Sequence, residues 1–257
     1  MALAGIDVGS VNTSVIIFDG GRILSEFIIN SSEADSEPHR ATERALRMAG
    51  LGWSDIAAVV ATGRGRSGVC FAQRQSSEVM CQARGALWLF PLARTVINLG
   101  AESSRVISLN QYGRVQSFAT NDKCAAGCGL FLDSMACLMG MSVAEMGELA
   151  LGVEVVEEVS SRCAVFAESE VISHIHRGVA KERIVAGLHR AVADRILDLV
   201  SRVTVQREVV LTGGVVKNRA LVKELEAKLG FAVCLPPEPQ VVGAIGAAIL
   251  AREQLGQ

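Results

Sequence analysis

Asp7-Val8-Gly9-Ser10 stands where an apolar run meets a tight polar turn, and its residue types suit a phosphate and a metal. Glycine lets the backbone approach a phosphate, the N–H groups and hydroxyls of Ser10, Asn12 and Thr13 can cradle it, and Asp7 can hold Mg²⁺ directly or through water. A single turn of this kind is also an ordinary hairpin end. An echo gives it weight: laid over Ile97-Asn98-Leu99-Gly100-Ala101-Glu102-Ser103, the segment puts Asp7 over Asn98 and Gly9 over Gly100, 91 residues later. Thr212-Gly213-Gly214 with Asn218, and Gly243-Ala244-Ile245-Gly246 opening a helix, add further glycine turns. Such turns from separate regions imply one nucleotide among them.

The cysteines offer a second chemistry. Seven is an odd number, and a chain of 257 residues has no need of disulfides to fold, so they read as thiols or ligands. Cys70, Cys81, Cys137 and Cys234 lie in apolar or mixed surroundings and read as small buried hydrophobes. Cys124 and Cys163 each stand just before a predicted helix, where unsatisfied N–H groups and the positive dipole end favour a thiolate; a ligand role and a plain capped-helix thiol both fit. Cys128, spaced C-x₃-C from Cys124, reads as a packed side chain one turn inward, with ligation the alternative. His174, His176 and His189 have no metal spacing and read as structural.

These residues need elements to place them. Each copy of the echoed turn is followed by Gly-Arg, at Gly21-Arg22 and Gly113-Arg114, and by another apolar strand, so each copy reads as a β-meander and the chain as duplicated. Helices are predicted at 37–49, 76–89, 129–140, 164–177, 181–203 and 242–253, with buried strands at 56–61, 95–99 and 208–211. The expected organisation is mixed α/β with a cleft between two lobes: residues 1–92 plus a C-terminal helix, 240–257, form one, and 93–239 form the other.

Composition narrows the function classes. Half the residues are hydrophobic yet 4% are aromatic, and 25 glycines against 5 prolines suggest closely packed elements rather than a disordered chain. With 25 Lys+Arg against 27 Asp+Glu and no basic block, no footprint for nucleic acid or an anionic membrane is visible. The longest uncharged apolar run near the end, Pro239 to Ala251, is short of the roughly 18 to 20 residues a spanning helix needs. A strand begins almost at the N-terminus, and a cytoplasmic location is expected.

On Gly5-Ile6-Asp7-Val8-Gly9-Ser10, Ala61-Thr62-Gly63-Arg64-Gly65-Arg66, Asn121-Asp122-Lys123-Cys124-Ala125-Ala126-Gly127, Cys163-Ala164-Val165-Phe166-Ala167-Glu168-Ser169-Glu170 and Leu211-Thr212-Gly213-Gly214-Val215, the sequence resembles the ATP-dependent activators of 2-hydroxyacyl-CoA dehydratases and the related ATPase subunits of benzoyl-CoA reductase. Those belong to the acetate kinase, sugar kinase, heat-shock ATPase and actin superfamily. The resemblance implies a two-lobed, actin-like ATPase fold, α/β and ribonuclease H-like in duplicate, with ATP or ADP and Mg²⁺ in the cleft. It also implies a dimer, with itself or a paralogue, sharing one 4Fe-4S cluster on Cys124 and Cys163 of each protomer. Ferredoxin or flavodoxin would supply the electron, and an iron-sulfur acyl-CoA dehydratase or reductase would receive it. Glu168 and Glu170 then read either as ordinary helix charges, paired with the helix dipole or with Arg177 and Lys181, or as part of the acceptor's docking surface.

The expected site has Asp7, Asn98 and Glu102 in catalytic roles. Gly9, Ser10, Asn12, Thr13, Gly100, Ala101, Ser103, Thr212, Gly213, Gly214, Asn218 and Gly243 bind the nucleotide. The second turn departs from the family pattern of an acidic residue, two glycines and Gln-Asp, since Asn98, Ala101, Glu102 and Ser103 stand there; Ser14 replaces a customary lysine. Asn98 removes a full charge from the Mg²⁺ or water-positioning shell, with Glu102 a partial compensation, so binding is better supported than rapid hydrolysis. A small-molecule kinase would need a catalytic base instead and no helix-start cysteines. A cluster-bearing nucleotide regulator with lost turnover, or one ATPase subunit of a reductase-like complex beside a more complete paralogue, also accommodates the altered turn.

Overall fold

The first strand, β1 (Ala2–Val8), is buried along consecutive rather than alternating positions, so both of its faces must be covered. In the computed structural model, which describes all residues except 34–36, 122–128, 161–162 and 257, two different helices do this. Ala2, Ala4 and Ile6 face Ala41, Ala45 and Leu46 of α1 (Pro38–Met48), while Leu3 faces the small residues of a C-terminal helix, Val242–Gln254. With β2 (Asn12–Asp19), β3 (Arg22–Asn30), β4 (Ile56–Thr62) and β5 (Arg74–Gln75), the first sheet runs β3-β2-β1-β4-β5.

The second sheet repeats this plan. Its strands are β6 (Thr95–Leu99), β7 (Ser104–Leu109), β8 (Val115–Asn121) and β9 (Val209–Thr212), in the order β8-β7-β6-β9. In each sheet the central strand has an antiparallel meander on one side and a parallel strand on the other. Asp7 pairs with Ser14 and Thr62, and Asn98 pairs with Arg105 and Thr212. The duplication read from the two turns thus extends to whole sheets. This is the two-lobed actin-like ATPase fold.

Between the sheets lies α2 (Glu78–Leu89). Although its sequence position falls in 1–92, its Ala83 and Ala86 pack on Val96, Ile107, Leu109 and Val210 of the second sheet. Opposite it crosses the C-terminal helix at very short range: a side chain at Gly85 would run into the Val242 carbonyl, and one at Gly246 into that of Cys81. Gly5 is closed in the same way by the Ala244 carbonyl. Small residues are therefore what let this layer seat between the lobes.

On the far face of the second sheet lie α3 (Gly129–Leu138), α4 (Val143–Ala150), α5 (Ala164–His176), α6 (Lys181–Val200) and α7 (Arg219–Leu229); the C-terminal helix is α8. The predicted helices omit α4 and α7. Both carry readable start signals: Ser142 and Glu145 form a reciprocal capping box, and Asn218 caps α7, which ends at Gly230 in the left-handed region. No single helix among the described residues is long and apolar enough to cross a membrane.

The expectation of four buried cysteines needs correction. Of these four, Cys81 alone is buried, and burial pushes its thiol up to about 11. Cys137 is exposed because the buried stripe of α3 runs through Phe131, Leu132, Met135 and Ala136, which turns position 137 outward. Cys70 is exposed in the loop after the 3₁₀ turn Arg66–Gly68, and Cys234 is half-exposed with its thiol hydrogen-bonded to Glu208.

Candidate functional site

Both hairpins end the same way. The Gly9 N–H donates to the Asn12 carbonyl at 2.9 Å and the Gly100 N–H to that of Ser103 at 2.9 Å, closing each turn on itself. Beside each, the parallel strand stops at Thr-Gly. Gly63 and Gly213 have φ of +89° and +93°. A side chain at Gly63 would meet the Val8 carbonyl and the Asp7 carboxylate; one at Gly213 would meet the Leu99 carbonyl and the Asn98 amide. Only glycine satisfies both the conformation and the close approach. Ends of strands from both sheets therefore converge on one cavity of about 400 Å³, at the position where open α/β sheets take ligands.

Twelve of the expected residues line it: Asp7, Gly9, Ser10, Asn12, Asn98, Gly100, Ala101, Glu102, Ser103, Gly213, Gly214 and Asn218. Three others lie behind it. Thr13 is 1% exposed, alternating away from the cleft along β2. Thr212 is fully buried; its hydroxyl donates to Gln82 Oε1 at 2.9 Å and accepts from Asn98 Nδ2 at 3.1 Å, so it orients Asn98 rather than facing a ligand. Gly243 backs Asp7, where a side chain would strike the carboxylate and the Gln82 amide. Asn218 does double duty: its Oδ1 accepts the Leu221 N–H at the start of α7, and its Nδ2 lies 2.9 Å from His189 Nε2. His189 Nδ1 lies 2.8 Å from the Val185 carbonyl, so the ring carries its proton on Nδ1 and accepts from Asn218; burial lowers its pKa.

Several charged groups in the cleft lie outside the sequence expectation. Burial and the nearby carboxylate of Glu78 push Asp7 up to about 7, against the opposing pull of Arg105. Glu78 Oε2 lies 2.8 Å from Arg105 Nη1, and Glu102 Oε2 lies 3.1 Å from Arg64 Nη1. Glu102 is thus engaged by Arg64. Ser14 donates to the Gln240 carbonyl at 3.2 Å, and Lys217 pairs with Glu238 at 2.9 Å near Gly214. Glu78 at the start of α2 carries no signal beyond that of an ordinary first-turn acid, and Arg105 reads as a strand residue; only the echo aligning Arg105 with Ser14 marks it.

The glycine cradles and Asp7 fit a Mg²⁺-bound polyphosphate, and Leu132, Val143, Ala144 and Val215 offer an apolar wall for a nucleoside. For a cluster, Cys163 is half-buried at the start of α5, extended in backbone and without a capping hydrogen bond of its side chain, and Val165 and Phe166 just after it are 67% and 65% exposed. Cys124 and Cys128 lie outside the described residues. Among the described residues no three His, Cys, Asp or Glu side chains converge to hold a metal, and a cluster shared by two chains with two thiols from each needs no such group. Glu170 accepts the Ser160 N–H at 2.6 Å, while Arg177 turns to His174 and Glu157. Of the readings given for Glu170, the pairing with Arg177 is replaced, because the segment preceding α5 folds back on that helix.

The family model described as the BadF/BadG/BcrA/BcrD ATPase family matches residues 4–251. The chain is 40% identical over 255 residues to the 2-hydroxyisocaproyl-CoA dehydratase activator of Clostridioides difficile, covering 99% of this chain and 96% of that one. It is 33% identical over 258 residues to a benzoyl-CoA reductase subunit of Thauera aromatica, covering 96% and 91%. The crystal structure of Acidaminococcus fermentans (R)-2-hydroxyglutaryl-CoA dehydratase component A superposes with a TM-score of 0.95 at 38% identity over 100% of both chains.

Proposed function

The chain belongs to the BadF/BadG/BcrA/BcrD ATPase family, and from that premise we propose that it is an ATP-dependent activator that passes an electron to an acyl-CoA dehydratase-type partner. A dehydratase activator is favoured over a reductase subunit by 40% identity against 33%.

The observation that carries the proposal is a continuous path from the phosphate turns to Cys163. The first two N–H groups of α3 donate to the turn itself, Gly129 to the Gly100 carbonyl at 3.0 Å and Leu130 to the Ala101 carbonyl at 2.9 Å. In turn α3 packs on α5, the helix that Cys163 opens. A shift of the second turn around a bound phosphate therefore moves α3, and α3 bears on the cysteine-bearing helix. Differential affinity for the γ-phosphate is the energy source for such a shift.

In this reading Asp7 holds the metal side of Mg²⁺-ATP, the turns at Gly9 and Gly100 hold the phosphates, and Gly213, Gly214 and Asn218 take the nucleoside. Water-positioning falls to Asn98, whose Nδ2 donates to Thr212 and whose neutral Oδ1 is a weaker acceptor than a carboxylate, so turnover is slow. Cys163 and Cys124 from each of two protomers would hold the 4Fe-4S cluster, which would supply one-electron chemistry when bound, with ferredoxin or flavodoxin as the class of donor. The exposed Val165 and Phe166 place an apolar surface beside Cys163, as a subunit interface there requires.

Anaerobic purification with iron analysis and mass determination tests this. Brown protein with about four irons per dimer, bleached by Cys163→Ala, is expected. Colourless monomer, or colour indifferent to Cys163→Ala, contradicts it.

A further inference from the structure

Among the described residues, one cation in the cleft, Arg105, belongs to neither glycine turn. Arg105, on β7, pairs across the ladder with Asn98, the residue at the end of the second sheet's central strand. Its side chain is 9% exposed, and its Nη1 sits 2.8 Å from Glu78 Oε2 on α2. A guanidinium buried that deeply is costly unless a carboxylate compensates it, and Glu78 reaches from the first residue of its helix to do so.

The two halves of the molecule differ at this point. Where the first has Asp7 opposite Ser14, the second has Asn98 opposite Arg105. The carboxylate that a metal needs and the cation that a phosphate needs are thus divided between the lobes. The other described cations of the cleft are poorly placed for a fixed role: Arg64 is 49% exposed and bound to Glu102, and Lys217 is 51% exposed and bound to Glu238 on the Gly214 side. The apolar wall for a nucleoside lies on that same side, at Val143, Ala144 and Val215. A phosphate chain starting there and running to Asp7 ends beside Arg105. The planar fork of an arginine suits a terminal phosphate, with two oxygens facing two N–H groups.

We infer that Arg105, held in place by Glu78 as its positioning residue, is the group by which this cleft distinguishes a nucleoside triphosphate from a diphosphate. This rests on the nucleotide reading of the cleft. The terminal phosphate meets a guanidinium rooted in the second sheet while its metal is held from the first, so only a triphosphate ties both lobes together.

Calorimetric titration of the full chain with adenylyl imidodiphosphate and with ADP, both with Mg²⁺, tests it. Wild-type protein that binds neither overturns the nucleotide reading itself. If wild type binds both, Arg105→Gln is expected to weaken the triphosphate analogue by about 30-fold or more, in line with charge-assisted bonds of about 2 kcal/mol, and ADP by less than about 3-fold. Equal losses, or none, overturn the inference. Glu78→Gln provides the independent arm should Arg105→Gln fail to fold. The amide still accepts from Arg105 but no longer neutralises it, so the analogue is expected to tighten by about 3-fold or more relative to ADP. An unchanged or reduced preference for the analogue in that variant overturns the inference as well.

Discussion

Replacing Asp7 with asparagine should stabilise the metal-free protein, and the gain should follow pH. In the native state the carboxyl titrates at about 7, against 3.8 in an ordinary setting, because burial and Glu78 disfavour its charge. An unfolded chain gives up this proton first, so between those two values each step up in pH favours unfolding; above about 7 the cost is complete and stays constant. The difference between these two values corresponds to a ceiling of about 4 kcal/mol. The carboxylate opens onto the cavity, and water there lowers this to about 2 kcal/mol. For a chain of this size that is a rise in Tm of about 4 to 8 °C for Asp7→Asn near pH 8, shrinking toward zero near pH 4. Differential scanning fluorimetry in EDTA across that range reads it directly. Adding Mg²⁺ and nucleotide should reverse the order, since only the wild type has the carboxylate for the metal. A variant that melts below wild type at pH 8 without metal, or a difference that ignores pH, refutes the electrostatic account of Asp7.

Other outcomes follow from the same site. Gly243→Ala introduces a methyl against the Asp7 carboxylate from a helical position, so hydrolysis should fall by about 10²-fold with Tm within a few degrees of wild type; full activity would show that Asp7 tolerates displacement. Asn98→Asp with Ser103→Asp should raise ATP turnover by about 10-fold or more. It should lower Tm, because Thr212 already donates to Gln82 and cannot also donate to a carboxylate; unchanged turnover would show that water is positioned by another group.

The sequence makes the duplication legible at Asp7 and Asn98, because both copies keep the glycine two residues on and the turn is short. It hides the matching Thr62-Gly63 and Thr212-Gly213 turns, which fall 55 residues after Asp7 but 114 after Asn98. The difference is the helical insertion α3 to α6, which breaks any fixed period. Close packing is what the sequence does not display: Gly243 reads as a ligand turn and lies beneath Asp7, and Thr212 reads as a nucleotide contact and is a buried link between Asn98 and Gln82. Ion pairs across the cleft were invisible, since nothing local in Glu78 or Arg105 announces a partner 27 residues away.

Electron delivery gated by ATP, as proposed, can be followed by mixing the dithionite-reduced, anaerobic protein with an acyl-CoA dehydratase partner and measuring dehydration of a 2-hydroxyacyl-CoA. Product is expected when Mg²⁺-ATP is present, none with adenylyl imidodiphosphate in its place, and none with Cys163→Ala under any nucleotide. Dehydration that proceeds equally without ATP, or that survives loss of Cys163, would contradict it.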